Sequence, residues 1–406
     1  MKKILWVTST PFRYHRILLG QTNESLHTGS WFSAALENIA HRSDIQLHIA
    51  TYGSVENCVS GVEDGISYHI LPCHEKRYNA SSKSATVHWQ FLREEINPDI
   101  IHIWGTESQF SLAASRTFRD KPIVLFVQGL IGVIQRHYYD GLPYLYKSLT
   151  LRDFYDRITI RKQTIDEIEI ISNATAAIVE NSWGESELLS LNPKITIYRL
   201  QLPIRKEFYQ NQWDFDKVEP YTLFTNAGGY PVKGHHILFK ALAIVKEQYP
   251  KIKLVIPGPT INQYVNFVKI TGYILYLKKM IRKYHLEDNI EYVGTLSCRE
   301  MINQLCHCNV YIMPSVTENH SASLIEALML GVPCISSCVG ETVNHIRNGE
   351  NGFLYNSTDY SSLAGLIIKC LGDTKLIKSI GNEASKTKLI RNESFGECIV
   401  KIYRSL

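Results

Sequence analysis

The sequence predicts an α/β protein of two Rossmann-like domains with mostly parallel sheets. Three observations carry this. Short apolar runs of strand length alternate with helical segments along the chain, and that alternation gives parallel sheets with helices on both faces. The 406 residues suffice for two domains of ordinary size. A polar, aromatic, unpatterned stretch from Pro203 to Pro220 interrupts the alternation, which then resumes. The expected division is a first domain over 1–205, a linker over 206–220, a second domain over 221–390 and a last segment, 391–406, helical from about Phe395.

Composition narrows the function classes. Hydrophobic residues make up 45% and charged residues 20%, as in a soluble globular protein. A formal charge of +4 suits anionic substrates or an anionic membrane face, and is too weak to imply nucleic acid. Met-Lys-Lys leads straight into a strand, so no signal peptide is expected. No apolar run reaches the roughly 18 residues of a membrane span. Nine scattered cysteines point to reduced thiols and a cytoplasmic protein. Cys298, Cys306 and Cys308 cluster without a zinc spacing and read as packing residues.

Strands of the first domain are expected at Ile4–Thr8, Ile45–Ala50, Ile66–Leu71, Ile100–Trp104, Ile123–Val127, Ala177–Val179 and Ile195–Tyr198. After the first, a long polar loop passes through Gly29 into a helix beginning near Ser30. A glycine there is either a turn residue or lets backbone approach a ligand closely. His102 lies in the apolar run Asp99-Ile-Ile-His-Ile-Trp-Gly, where a lone histidine is either a satisfied core residue or a site residue. From Arg136 to Lys162 aromatics and basics are interleaved with Asp140, Asp153 and Asp156. That mixture suits an anionic membrane surface or a lipid-linked acceptor, or else a half-exposed helical hairpin. Asp214 and Asp216, in the linker, read as a solvated pair, and no metal site is expected.

Strands of the second domain are expected at Tyr221–Thr225, Ile252–Ile256, Ile290–Val293, Val310–Met313 and Cys334–Ser336. Gly229 and Gly234 have the spacing of P-loop glycines, but His235 and His236 replace its Lys-Ser/Thr, which argues against a triphosphatase. Lys233 stands just before a helix, as an exposed loop lysine or as a phosphate ligand. The absence of G-x-G-x-x-G after either first strand argues against a dinucleotide oxidoreductase.

The most informative stretch is Asn309 to Gly340. An apolar strand ends at Pro314, a polar loop follows, and a helix starts near Ser321, a good N-cap. Glu318 precedes the helix and Glu326 lies eight residues on, inside it. The amides of Ser321, Ala322 and Ser323 lie between them at the helix start. Free N–H groups and a dipole suit a diphosphate, and carboxylates accept hydrogen bonds from vicinal sugar hydroxyls. The other reading is two solvated surface glutamates.

Strand, Pro-Ser, Glu-x7-Glu and a helix closing with Gly-x-Pro resemble the donor site of glycosyltransferase family 4. The resemblance implies the GT-B fold, with two Rossmann-like domains across a cleft and a terminal helix crossing back to the first domain. It further implies Glu318 on the donor sugar, Glu326 on the ribose, and the amides of Ser321, Ala322, Ser323 and Leu324 on the diphosphate. His320 and Ser321 stand where relatives often have an aromatic and a glycine. Lys233 matches a lysine on the donor diphosphate, and Gly228 replaces a frequent arginine five residues earlier. Gly29 matches a loop that meets acceptor or diphosphate, and His102 a histidine facing sugar and acceptor.

The expected activity is therefore a metal-independent, retaining transfer of a hexosyl group. The donor would be a UDP- or GDP-sugar, and the acceptor a glycan or lipid-linked oligosaccharide for cell-surface polysaccharide. The enzyme would work in the cytoplasm, with contact to the inner membrane face. The rivals are a sugar-nucleotide epimerase and a non-catalytic two-domain sugar-binding protein.

Overall fold

The computed structural model describes all residues except 22–29, 41, 74–77, 227, 264–269 and 388–393. It divides the chain into two compact units. The first comprises Met1–Gly132, Ile160–Pro203 and Glu393–Leu406; the second comprises Val133–Thr159 and Ile204–Asn392.

Eight strands form the sheet of the first unit: β1 (Lys2–Thr8), β2 (Ile45–Gly53), β3 (Val59–Glu63), β4 (Ile66–Pro72), β5 (Ile100–Trp104), β6 (Ile123–Phe126), β7 (Ala176–Val179) and β8 (Thr196–Arg199). Their order is β3-β4-β2-β1-β5-β6-β7-β8. All neighbours pair in parallel except β3 with β4. The central β5 and β6 are buried at every position, as a sheet covered on both faces requires. The sequence reading lacked β3. Its hairpin to β4 turns on Asp64 and Gly65, with φ of 52° and 77°, so the Asp-Gly dipeptide was the available signal.

The terminal helix, Phe395–Ser405, belongs to this unit. It buries Phe395, Ile399, Val400 and Tyr403 against the core that holds Ile4 and Trp6. The Trp6 indole donates to the Tyr403 hydroxyl at 2.8 Å, and the Lys2 ammonium donates to the Tyr403 carbonyl at 2.8 Å.

The second unit holds β9 (Thr222–Thr225), β10 (Lys253–Ile256), β11 (Ile290–Tyr292), β12 (Val310–Met313), β13 (Cys334–Ser337) and β14 (Phe353–Tyr355). The order is β11-β10-β9-β12-β13-β14, parallel throughout. The three-residue β14 was also unread, being too short to show a period.

Two expected boundaries need correction. The stretch 133–159 was assigned to the first domain but groups with the second unit. The buried Asp153 carboxylate accepts the Gly272 amide at 3.0 and 3.1 Å, and His236 Nε2 meets the Asp140 carbonyl at 2.9 Å. Nor is 206–220 a free linker. Phe208 and Trp213 are buried in the second core, and the Trp213 indole donates to the Cys308 carbonyl at 2.9 Å.

Candidate active site

The carboxyl ends of β9 and β12 bring two loops together. Gly234 takes φ of 68° and touches the Pro314 carbonyl so closely that a Cβ would collide with it. The Val316 amide donates to the Val232 carbonyl at 2.8 Å. These two contacts place Lys233 beside the loop that follows β12, although 85 residues separate it from Glu318. Lys233 Nζ donates to Glu318 Oε1 at 2.5 Å, and the Ser315 hydroxyl donates to the same oxygen at 2.7 Å. Burial depresses the Lys233 ammonium, but Glu318 and Tyr230 more than offset it and leave it above the ordinary lysine value. Among the described residues Glu318 Oε2 has no hydrogen-bond partner. The Glu318 carbonyl is met by Gly340, where φ is 53° and a Cβ would collide.

The helix Ala322–Leu330 starts as expected. Ser321 is its N-cap, and its hydroxyl accepts the Leu324 amide at 3.3 Å. That cap is a correction, because the Leu324 N–H was expected on a diphosphate. By helix geometry the amides of Ala322 and Ser323 have no acceptor within the helix. The Ser323 hydroxyl meets the Tyr311 hydroxyl at 2.9 Å. Glu326 lies in the second turn, almost fully buried. Burial raises its carboxyl, and Arg205 opposes the shift. Arg205 Nε and Nη2 both donate to Glu326 Oε1, at 3.0 and 2.8 Å, while its guanidinium stacks over Phe208 at 4.8 Å. Oε2 again has no hydrogen-bond partner among the described residues. Arg205 was missed because it stood at the edge of what read as a linker.

Other expected residues fall elsewhere. His102 is not offered to a ligand. It is fully buried in the first core, stacked on Trp104, with Nδ1 at 2.5 Å from the Tyr403 hydroxyl, and burial lowers its pKa to about 3. The core reading of this histidine is the one the geometry supports, because β5 is covered on both faces. Gly228 packs so that a Cβ would run into the His235 ring. Gly29 lies outside the described residues. His320 turns to Glu341, with Nδ1 at 2.8 Å from Oε2, and His345 Nε2 lies 3.2 Å from Oε1. The two imidazoles hold the Glu341 carboxyl at about 2 despite its burial. Asp216 pairs with Lys378 at 3.1 Å and Asp214 with Lys217 at 3.5 Å, so neither faces a shared ion.

Seven large apolar side chains between Tyr144 and Ile158 stand exposed, among them Tyr144 at 86%, Leu151 at 87% and Phe154 at 65%. Beside them runs the helix Gly272–Lys283, with exposed Lys279, Arg282 and Lys283. Tyr146 packs against Tyr276 with ring centroids 4.8 Å apart and planes tilted by 39°, and Lys279 lies over Tyr146 at 5.8 Å. Among the described residues no helix is long and apolar enough to cross a membrane.

Residues 205–387 match the family described as glycosyl transferases group 1. An uncharacterized glycosyltransferase, MJ1178 of Methanocaldococcus jannaschii, is 24% identical over 91% of this chain and 93% of its own. The capsular polysaccharide biosynthesis glycosyltransferase CapM of Staphylococcus aureus is 25% identical over 38% of this chain, which spans 37% of CapM. Anabaena Alr3699/HepE, solved in complex with UDP and glucose, superposes with a TM-score of 0.67 at 14% identity, covering 100% of both chains. The two parallel α/β units have the GT-B fold, and the family match and the relatives together support a GT-B glycosyltransferase.

Proposed function

We propose that the chain is a retaining glycosyltransferase of family 4. It moves a hexosyl group from a UDP- or GDP-sugar to a glycan or lipid-linked acceptor in cell-surface polysaccharide synthesis. The observation that carries this is the pair of held carboxylates around one helix start. Glu318 is fixed by Ser315 and Lys233, Glu326 by Arg205, and each keeps its Oε2 without a hydrogen-bond partner among the described residues.

In this reading Glu326 Oε2 accepts the ribose hydroxyls and Glu318 Oε2 a sugar hydroxyl. The diphosphate lies at the amides of Ala322 and Ser323 and takes hydrogen bonds from Lys233. As the anomeric carbon–oxygen bond breaks, negative charge grows on the β-phosphate, and the Lys233 ammonium is already in place to meet it. The acceptor oxygen bonds to the anomeric carbon and gives up its proton to an oxygen of the departing β-phosphate. Diphosphate departure needs no metal at the phosphates. The exposed apolar run near Tyr144 and the basic edge of Gly272–Lys283 fit peripheral contact with the cytoplasmic face of an anionic membrane.

A panel of UDP- and GDP-sugars, with and without candidate acceptors, tests the reading. Expected are acceptor-dependent nucleotide release and a product whose anomeric proton shows retained configuration by NMR. An inverted product rejects the family assignment. A new sugar nucleotide formed without acceptor identifies an epimerase, and binding without release identifies a sugar-binding protein.

A further inference from the structure

The sugar-nucleotide reading does not use His320, Glu341 and His345. His320 directly precedes the N-cap Ser321, and Glu341 precedes the short helix Thr342–His345, which ends on His345. One ligand-type atom from each lies within 4.8 Å of the others. The side chains are only 5%, 2% and 11% exposed. The two imidazole rings stand nearly perpendicular, at 84°.

Two imidazoles and a carboxylate form a ligand set suited to zinc and its neighbours, with a fourth position left for water. Ligand atoms about 2.0–2.1 Å from a shared tetrahedral ion lie roughly 3.3 Å apart. The two nitrogen–oxygen distances, 2.8 and 3.2 Å, run to the two different oxygens of Glu341, and the three ligand atoms lie within 4.8 Å of one another, so an ion would draw the two imidazoles in around the carboxylate. A carboxylate this buried needs a compensating positive charge. A divalent ion held by the three residues supplies such a charge.

We propose that His320, Glu341 and His345 bind one divalent transition ion of the zinc class. Its place is structural. It joins the end of the Glu318 loop to the turn after β13, where Gly340 already touches the Glu318 carbonyl. The ion thereby holds the start of the helix Ala322–Leu330 in position.

The test needs no nucleotide, so its failure would leave the sugar-nucleotide reading standing. The full chain is stripped with a chelator and titrated with cobalt(II), then zinc(II). Expected is one cobalt per chain, with the visible bands of a four- or five-coordinate ion and no intense near-ultraviolet cobalt–thiolate band. Zinc should displace the cobalt and raise the melting temperature. His345→Gln and Glu341→Gln should each weaken cobalt binding at least tenfold and lose the zinc-dependent stabilisation, while the metal-free variants still melt cooperatively. No binding, binding unchanged in both variants, or a thiolate spectrum from the cysteines would overturn the proposal and leave a hydrogen-bonded His320–Glu341 pair with His345 beside it.

Discussion

Lys233 and Glu318 should act on nucleotide affinity with opposite signs. The lysine is committed to Glu318 Oε1 at 2.5 Å, so a diphosphate would have to compete with a carboxylate for it. Lys233→Ala removes one charged hydrogen bond to the ligand, about 1.5–3 kcal/mol, or roughly 10- to 150-fold in UDP affinity. It also strands Glu318 beside the incoming phosphates with only Ser315 as a partner, which adds repulsion. In the transition state, where phosphate charge is larger, the loss should reach about 2–4 kcal/mol, or roughly 30- to 1000-fold in kcat/KM. Lys233→Arg is not expected to restore it, because a planar fork replaces a compact point charge.

Glu318→Gln frees the lysine and removes a negative charge. Binding of UDP should then tighten by about 0.5–1.5 kcal/mol, the net worth of a typical hydrogen bond no longer broken, while turnover falls. Isothermal titration with UDP, and with GDP where UDP fails, reads both variants directly. A tenfold loss of nucleotide affinity in Glu318→Gln would place that carboxylate on the nucleotide and refute the assignment. Unchanged affinity and turnover in Lys233→Ala would remove the lysine from the site.

Three further outcomes are expected. Glu326→Ala should weaken the free nucleoside diphosphate by about 1.5–3 kcal/mol, and Arg205→Ala should lower affinity by displacing Glu326; calorimetry showing neither change would detach this pair from the ribose. Flotation with anionic liposomes should carry the protein at low salt and lose it at high salt, and Leu151→Asp with Phe154→Asp should abolish binding; failure to float at low salt would leave this face without a membrane role. Acid should destabilise the fold from about pH 6.5 downwards, followed as melting temperature against pH. Burial lowers the pKa of His15 to about 4 and of His102 to about 3, so the unfolded chain binds protons that the native state refuses. His15 contributes on the order of 3 kcal/mol and His102 on the order of 5, present above about pH 6.5 and lost as pH falls towards those values. A melting temperature flat from pH 7 to pH 4.5 would contradict this.

Period and punctuation made most strands legible. β5 and β12 fall at their expected limits, Ile100–Trp104 and Val310–Met313, because short apolar runs bounded by turn residues have few other solutions. Partnership across the fold was not legible. Nothing local tells that Asp153 will cap Gly272, that Arg205 will meet Glu326 or that His320 will find Glu341, since each pairing depends on which loops the sheet order brings together. His102 shows the converse. Its motif raised a site reading, but whether a histidine in a buried strand faces solvent or a tyrosine from the last helix depends on a contact 301 residues away.

Both glutamates of the candidate site share one arrangement. A charged side chain holds Oε1, and Oε2 is left without a hydrogen-bond partner among the described residues. A carboxylate free on both sides would lose side-chain entropy when a sugar hydroxyl orders it. One saturated on both sides would have no capacity for the hydroxyl. Held by one oxygen, it is pre-oriented and still able to accept, so less of the hydroxyl's hydrogen-bond energy goes into ordering. The two holding groups differ in consequence. Arg205 is held on Glu326 and over Phe208, so the proposed ribose end would be fixed before the ligand arrives. In the proposed reading the diphosphate also draws on Lys233, so Glu318 Oε1 is released from the lysine only as the phosphates bind. On that reading, recognition of the sugar is coupled to recognition of the diphosphate. A sugar nucleotide, which gives the released carboxylate a hydroxyl, should bind more tightly relative to the bare nucleotide in the native protein than in Glu318→Gln.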